Sequence, residues 1–194
     1  MMKIIAIVEG HGDVEAAPIL IRRIAEKLGK GNAVSIPRPF RCPKGKIMQE
    51  KELGRILDFA AAKLTPPGEI LILLDADSDC PAQLAPKLLA NARNLRKDVK
   101  ISVVLAKREY ETWFLAALPS LAGKRGIRKG LSSIPNAEDV SGAKERLEKE
   151  MEPGRYYSET LDQAALSSLF DLDMAKKNSP SFDKFFRTVE GFFK

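Results

Sequence analysis

The sequence predicts an α/β fold, in which a parallel sheet of about four strands is flanked by helices, with a helical C-terminal annex. Three observations predict it. Apolar β-branched runs alternate with helical stripes through residues 1–118, which is typical of a Rossmann-like arrangement of βαβ units. The strongest runs, 3–8 and 69–74, are continuously apolar after their first residue, as in strands buried on both faces. Beyond residue 118 the alternation stops, so 119–194 is expected to be a basic loop and helical extension packed on the same domain.

The first part of the chain contains four predicted strands with helices between them. The strands cover 3–8, 33–36, 69–74 and 100–105, and the helical stripes cover 14–28, 53–64 and 84–95. Gly29 is the predicted C-cap of the first helix, and Pro18 should lie in its first turn. The proline-rich basic stretch 37–46 is predicted to be a loop without helix. Right-handed crossovers should bring the carboxyl ends of the strands to one edge of the sheet.

The last part of the chain is predicted to be helical. A helix follows residue 107 with Tyr110, Trp113 and Phe114 on one face, and we expect Trp113 and Phe114 to be core residues. The basic, glycine-punctuated stretch 123–130 is predicted to be a mobile loop. Short helices are expected at 142–151, 161–169 and 180–192.

Composition excludes several classes of protein. Hydrophobic residues make up 44% of the 194 residues and charged residues 30%, as in an ordinary globular protein. The apolar stretch 4–8 is too short for a signal peptide or a membrane span, so a cytoplasmic protein without a membrane partner is expected. Cys42 and Cys80 lack the spacing of a zinc site or a disulfide framework and should be reduced thiols.

The basic balance of the chain favours a polyanionic partner. The formal net charge is +6, and lysine and arginine release counterions from phosphates when they bind nucleic acid. The candidate residues for this contact lie in the two basic loops: Arg38, Arg41, Lys44, Lys46, Lys124, Arg125, Arg128 and Lys129.

Acidic residues collect after three of the predicted strands. They are Glu9 after the first strand, Asp75, Asp77 and Asp79 after the third, and Glu109 and Glu111 after the fourth. Ligand sites of open parallel sheets form at the carboxyl ends of the strands, so these groups are expected to converge. Carboxylates brought together repel one another, which calls for a cation. Oxygen ligands favour Mg²⁺ or Mn²⁺ over zinc.

Several of these acids also have a structural explanation, and Asp75 or Ser78 could cap the helix that follows. Asp79 and Pro81 fit the N-cap and N1 positions of the following helix, and we favour that role for Asp79. Asp13 fits the N-cap of the first helix. Either Glu109 or Glu111 is explained by the helix dipole, and one of them, with Glu111 preferred, is expected to be a ligand.

Two further expectations concern the proposed chemistry. His11, the only histidine, is either a candidate for proton transfer or a solvated bystander. The metal interpretation requires Glu9 to face Asp75 and Asp77, with no lysine ion-paired among these carboxylates.

Two short motifs carry a resemblance to a known family. Val8-Glu9-Gly10 and Leu74-Asp75-Ala76-Asp77 resemble the motifs of the Toprim domain, which occurs in topoisomerases, primases, small RNA-maturing nucleases and OLD-family nucleases. The resemblance implies that Glu9 is a general acid or base and that the aspartates bind Mg²⁺. No part of the chain resembles the further domains of topoisomerases or primases, so strand passage and primer synthesis are not expected.

The whole chain is similar to a Toprim-like bacterial family of unknown function. The blocks that carry this similarity are 108–116, 156, 160–163, 170–172 and 179–182. Members often lie beside ATPases of the ABC/SMC kind, as in anti-phage systems, and the resemblance therefore implies an ATPase partner.

The sequence favours a Mg²⁺-dependent nuclease in which Asp75, Asp77 and Glu111 hold the metal and Glu9 handles the proton. The alternative is a non-catalytic module that binds nucleic acid or an ATPase through the same basic face. A phosphatase with a nucleophilic aspartate is less favoured, because its lysine and threonine cannot be identified. A homodimer is among the states that the sequence allows.

Overall fold

A parallel sheet runs through the middle of the computed structural model, which describes residues 1–194. Its strands are β1 (Met2–Val8), β2 (Val34–Ser35), β3 (Phe40–Arg41), β4 (Gly68–Asp75) and β5 (Ile101–Ala106). The order is β2-β1-β4-β5, and β3 pairs with the carboxyl end of β1. Every strand pairing is parallel. The predicted α/β class with a parallel sheet is confirmed.

Helices cover both faces of the sheet. They are α1 (His11–Lys27), α2 (Lys44–Ile47), α3 (Glu50–Ala62), α4 (Pro81–Leu95), α5 (Thr112–Ala116), α6 (Leu118–Leu121), α7 (Ala143–Lys149), α8 (Ala164–Leu169), α9 (Leu172–Asn178) and α10 (Pro180–Gly191). A π-helical turn, Glu159–Gln163, leads into α8. None of these helices combines the length and apolar character that crossing a bilayer requires.

The sheet separates two apolar layers because successive strand residues point to opposite faces. Ile4, Ala6 and Val8 pack against α1 and the C-terminal helices, whereas Ile5 and Ile7 pack in the layer that α3 and α4 cover. The layer under α1 extends through α5 to α10. The helical annex therefore completes one face of the same sheet.

An aromatic cluster joins the annex to the sheet. Trp113 and Phe114 are fully buried, as the sequence predicts. The Trp113 ring lies 5.2 Å from Phe182 and 5.1 Å from Phe185, measured between ring centroids. Its Nε1 donates a hydrogen bond of 2.9 Å to the Ser181 hydroxyl. These contacts fix α10 against α5.

Three predicted helix starts are wrong, and one of them is the helix expected after residue 107, which begins only at Thr112. The first helix begins at His11, so Pro18 lies beyond its first turn. It begins early because Gly10 is the N-cap and the Asp13 carboxylate accepts a hydrogen bond from the Gly10 backbone N–H. The N-cap of α4 is Cys80 rather than Asp79.

Two predicted loops contain regular structure. The stretch 37–46 contributes β3 and the start of α2, because no proline follows Pro43 and the chain is free to form a helical turn from Lys44. The stretch 123–130 is a hydrogen-bonded turn whose buried Ile127 pairs with Met151. A helix that the sequence did not predict, α9, follows Asp171, whose side chain accepts a hydrogen bond from Met174 N.

Candidate functional site

An acidic cavity of about 180 Å³ lies at the carboxyl edge of the sheet. No hydrophobic residue lines it. The lining consists of Glu9, Gly10, Asp13, Asp75, Asp77, Glu111, Lys144, Glu159 and Gln163. The structure therefore brings together four of the acids that the sequence singled out, from the ends of β1, β4 and β5.

Glu9 follows the last residue of β1 and faces the same cavity as Asp75 and Asp77. Its Oε1 accepts a hydrogen bond of 3.3 Å from the backbone N–H of Lys44, at the start of α2. Its Oε2 is buried without a hydrogen-bond partner. Burial, together with the charges of Asp77 and Asp13, raises the pKa of Glu9 above its ordinary value.

Asp75 is the last residue of β4. Burial raises the pKa of Asp75 well above its ordinary value, and the negative charges of Asp13 and Glu111 raise it further. A carboxyl group that is buried beside other acids either keeps its proton or binds a cation.

Glu111 immediately precedes α5 and is 1% exposed. Its Oε1 accepts a hydrogen bond of 2.7 Å from the Tyr157 hydroxyl, whereas its Oε2 is buried and has no hydrogen-bond partner. Burial raises the pKa of Glu111 to about 7. Glu111 is thus oriented on one side and unsatisfied on the other.

Asp77 does not continue the strand. Its φ is +52°, so the chain has already turned after Asp75. The Asp77 carboxylate lies 2.8 Å from Lys44 Nζ, which is also 3.0 Å from Asp79 and donates to the Ala76 carbonyl. Burial disfavours the charged ammonium, but the hydrogen bonds to Asp77 and Asp79 raise the pKa of Lys44 overall. Glu9 therefore faces Asp75 and Asp77, as the metal interpretation requires. Lys44, however, is ion-paired with Asp77, which that interpretation does not allow.

The annex supplies the wall of the cavity opposite the sheet. Lys144, at the start of α7, is ion-paired with Glu159. Burial opposes its charge, but Glu159, Glu111 and Asp75 together raise the pKa of Lys144. Gln163 donates a hydrogen bond of 2.7 Å from Nε2 to Asp13 Oδ1.

Sequence reasoning missed Lys144, Tyr157, Glu159 and Gln163 as residues of the site. Three of the four, Tyr157, Glu159 and Gln163, lie in or beside the C-terminal blocks 156 and 160–163 that carried the family resemblance. That resemblance was the only signal that could have found them, because no strand end or helical period marks them.

Asp13 is part of the helix start rather than its N-cap. Its Oδ2 accepts a hydrogen bond of 2.8 Å from the backbone N–H of Gly10, the actual N-cap of α1. Burial raises the pKa of Asp13. Asp13 therefore both stabilises the first turn of α1 and adds a carboxylate to the cavity.

The remaining candidates lie outside the cavity. The Glu109 carboxylate accepts a hydrogen bond of 3.1 Å from the Lys144 backbone N–H, at the start of α7. His11 is exposed as the first residue of α1 and does not line the cavity.

The predicted nucleic-acid contacts divide into two groups. Four are ion-paired within the protein: Lys44 as described, Arg38 with Glu15, Arg125 with Asp162 and Arg128 with Glu150. Lys44 is only 12% exposed. The others are exposed at the surface, namely Arg41, Lys46, Lys124 and Lys129.

The cavity has the chemistry of a site for a hard cation. Its donors are carboxylate oxygens, and two of them, Glu9 Oε2 and Glu111 Oε2, are buried without partners. Six carboxylates line it, against the ammonium of Lys144 in the lining and that of Lys44 on Asp77. As they stand, however, no three acidic, histidine or cysteine side chains are spaced to hold a metal ion. Coordination would require the carboxylates to draw closer together.

A close approach at Gly12 ties the annex to α1. A Cβ at this position would lie 2.7 Å from the Glu159 carbonyl oxygen and would collide with the Gln163 side chain. We expect Gly12→Ala to destabilise the protein by about 1–3 kcal/mol, because the π-helical turn must move. Urea unfolding measures this. Gly54→Ala is the matched control, since a Cβ in that helix meets no atom within 4 Å, and equal stability of the two variants would contradict the prediction.

One family model matches most of the chain. It is described as a domain of unknown function, DUF4276, and it covers residues 8–190. No curated protein and no solved structure matches the chain. The matched range contains every residue that lines the acidic cavity.

Proposed function

The chain belongs to the DUF4276 family, and from the acidic cavity we propose that it is a Mg²⁺- or Mn²⁺-dependent nuclease of the Toprim type. The observation that carries the proposal is the meeting of Glu9, Asp75 and Glu111 in one cavity, with two buried carboxylate oxygens left unpartnered. Buried polar atoms without partners are rare in folded proteins and point to a bound group.

The charge of the cavity supports a divalent cation. The carboxylates outnumber the two lysines that reach them, and the raised pKa values of Asp75 and Glu111 reflect burial beside other acids. We propose Asp75 and Glu111 as the ligands, with Asp77 joining them once it leaves Lys44. When bound, the ion would polarise a phosphodiester and lower the pKa of a water molecule.

The protein groups around these ligands have complementary roles in the proposal. Glu9, whose pKa is raised by burial and whose Oε2 has no hydrogen-bond partner, is the group proposed to transfer the proton. Lys144, paired with Glu159 at the cavity wall, would attract the phosphate and neutralise charge that develops on it. The Tyr157 hydroxyl orients Glu111 by its hydrogen bond.

The Toprim resemblance of Val8-Glu9-Gly10 and of Leu74 to Asp77 supports the same chemistry. Nucleic acid would be held by exposed basic residues beyond the cavity, including Arg41, Lys46, Lys124 and Lys129. The similarity to a Toprim-like bacterial family adds an ABC/SMC-type ATPase as the proposed partner, in anti-phage defence.

A second candidate function is a non-catalytic module that binds nucleic acid or an ATPase. Two observations favour it: Lys44 already neutralises Asp77 and Asp79, and no three side chains are spaced for a metal ion. The module would use the exposed basic residues without cleaving the substrate.

Incubation of the purified chain with supercoiled plasmid and labelled RNA separates the two functions. The nuclease proposal expects cleavage with Mg²⁺ or Mn²⁺ that EDTA abolishes and excess metal restores. Salt-sensitive binding without cleavage under any of these metals would support the module and overturn the nuclease.

Lys44 offers a separate test of the ligand role of Asp77. Because Lys44 competes with a cation for Asp77, we expect Lys44→Met to tighten Mn²⁺ binding by up to about fivefold, the worth of a partly exposed ion pair. Titration calorimetry measures this. Lys46→Met, an exposed neighbour, should leave the affinity unchanged. If adding Asp77→Asn to Lys44→Met does not weaken Mn²⁺ binding, Asp77 is not a ligand.

A further inference from the structure

We propose that the surface beside the acidic cavity binds a single-stranded polynucleotide by base stacking on Tyr156. This surface, called the tyrosine rim, consists of Tyr156, Leu161, Arg125 and Arg155. The inference rests on the proposed function only where it links this binding to cleavage in the cavity.

The tyrosine rim exposes apolar surface that the fold does not use. Tyr156 is 76% exposed and Leu161 is 71% exposed, more than any other large apolar side chain except the N-terminal Met1. An aromatic ring exposed to this extent contributes nothing to the core, and its amphipathic face is free to stack on a ligand.

The rim continues directly into the cavity wall. Tyr156 precedes Tyr157, whose hydroxyl donates to Glu111, and consecutive Cα atoms are only about 3.8 Å apart. Leu161 lies in the π-helical turn that also contains Glu159 and Gln163, both of which line the cavity. A polynucleotide strand bound along the rim would therefore lie on the same chain segment, 156–163, that supplies part of the cavity wall.

Two arginines lie against the same segment. Arg125 donates from Nη2 to the Leu161 carbonyl at 3.3 Å and to Asp162 at 3.2 Å. The Arg155 side chain packs on Gly126, where a Cβ would lie 2.9 Å from its Nε. The exposed Lys124 adds a third positive charge beside them. Because Asp162 already pairs with Arg125, Arg155 and Lys124 are the cations that the rim offers to the phosphate backbone beside its stacking surface.

This combination fits a single strand better than a duplex. Single-stranded binding sites pair aromatic rings, on which unstacked bases lie, with a positively charged track for the phosphates. The bases of a duplex are stacked on one another and do not offer their faces. Two isolated apolar side chains are far too small a patch for a stable protein interface, which argues against a protein partner here.

Fluorescence anisotropy with a labelled single strand of about 12 nucleotides tests the inference. EDTA is included, so that neither cleavage nor a metal ion affects the result. We expect Tyr156→Ala to weaken binding about fivefold or more, since stacking on one aromatic ring contributes at least that much. Tyr156→Phe keeps the ring and should bind like the wild type. Phe59→Ala is the matched control, because Phe59 is 58% exposed on α3 and does not line the cavity.

The experiment includes DNA and RNA single strands and a duplex of the same sequence. A selective loss of single-strand binding in Tyr156→Ala, for DNA, RNA or both, supports the tyrosine rim and identifies which polynucleotide it accepts. Unchanged single-strand affinity in Tyr156→Ala, an equal loss in Phe59→Ala, or tighter binding of the duplex would overturn it.

The two proposals fail separately. Tyr156-dependent binding in EDTA without cleavage in any metal would reject the nuclease and retain the rim. Metal-dependent cleavage with single-strand binding that ignores Tyr156 would reject the rim and retain the nuclease.

Discussion

Replacing Asp75 with asparagine should abolish metal-dependent cleavage while making the protein more stable. Asp75 ends β4 and its pKa is raised well above the ordinary value by burial, then by Asp13 and Glu111. As a proposed ligand, its loss should lower the cleavage rate by about 10²- to 10⁴-fold, the usual contribution of a group that acts directly on the reaction. The amide removes a buried repulsive charge, so the free energy of unfolding at neutral pH should rise.

This pairing of effects excludes the trivial explanation that the variant unfolds. Cleavage of labelled substrate gives the rate, and urea unfolding gives the stability. Glu9→Gln should lose activity in the same way, because Glu9 Oε2 is one of the two unpartnered buried oxygens. Asp139→Asn, an exposed acid in a short helical turn, is the control and should behave as the wild type. Full activity in Asp75→Asn would remove the basis of the nuclease proposal.

The metal-free protein should become less stable as the pH rises from about 4.5 to about 7. Burial raises the pKa of Glu111 from 4.5 to about 7, so the folded protein holds a proton in this interval that the unfolded chain releases. Stability is therefore lost as the pH increases, and it levels off above the folded pKa. This rise in pKa corresponds to about 3 kcal/mol, and the raised pKa of Asp75 acts in the same direction.

Divalent metal should reverse this trend. Metal binding requires deprotonated carboxylates, so Mn²⁺ should stabilise the protein more at about pH 8 than at about pH 5.5. Thermal unfolding across pH, with Mn²⁺ or EDTA, measures both effects. Glu111→Gln should flatten the pH dependence in EDTA, because Gln keeps an acceptor for the Tyr157 hydroxyl but does not titrate. If the metal-free protein instead gains stability between these pH values, Glu111 is already ionised at low pH and its pKa is not raised by burial.

The acids at the carboxyl edge of the sheet could be predicted from the sequence, because their positions depend on patterns of neighbouring residues. Continuous apolar runs identify β1 and β4, and the residues that follow such runs, Glu9 and Asp75, must lie at the end of their strands. Parallel pairing then brings these ends together whatever the rest of the chain does. Glu111, one residue before α5, follows from the same rule applied to β5.

The backbone turn at Asp77 and its ion pair with Lys44 could not be predicted in this way. The alternating pattern of Asp75 and Asp77 suggested two side chains on one side of an extended strand, but the positive φ of Asp77 ends the extension. Its partner Lys44 comes from a short helix, α2, within a stretch where prolines predicted only loop. An ion pair between residues 33 positions apart leaves no local signal in either segment.

The sequence by itself determined the α/β class, the positions of the buried strands along the chain and the acidic edge, because strand burial and the positions of strand ends depend on neighbours along the chain. Only the tertiary structure decided what closes that edge. Lys144, Tyr157 and Gln163 reach the cavity because the aromatic cluster and Gly12 hold the annex against α1 and the sheet. Such long-range packing depends on the shapes of surfaces far apart in sequence, and no periodicity encodes it.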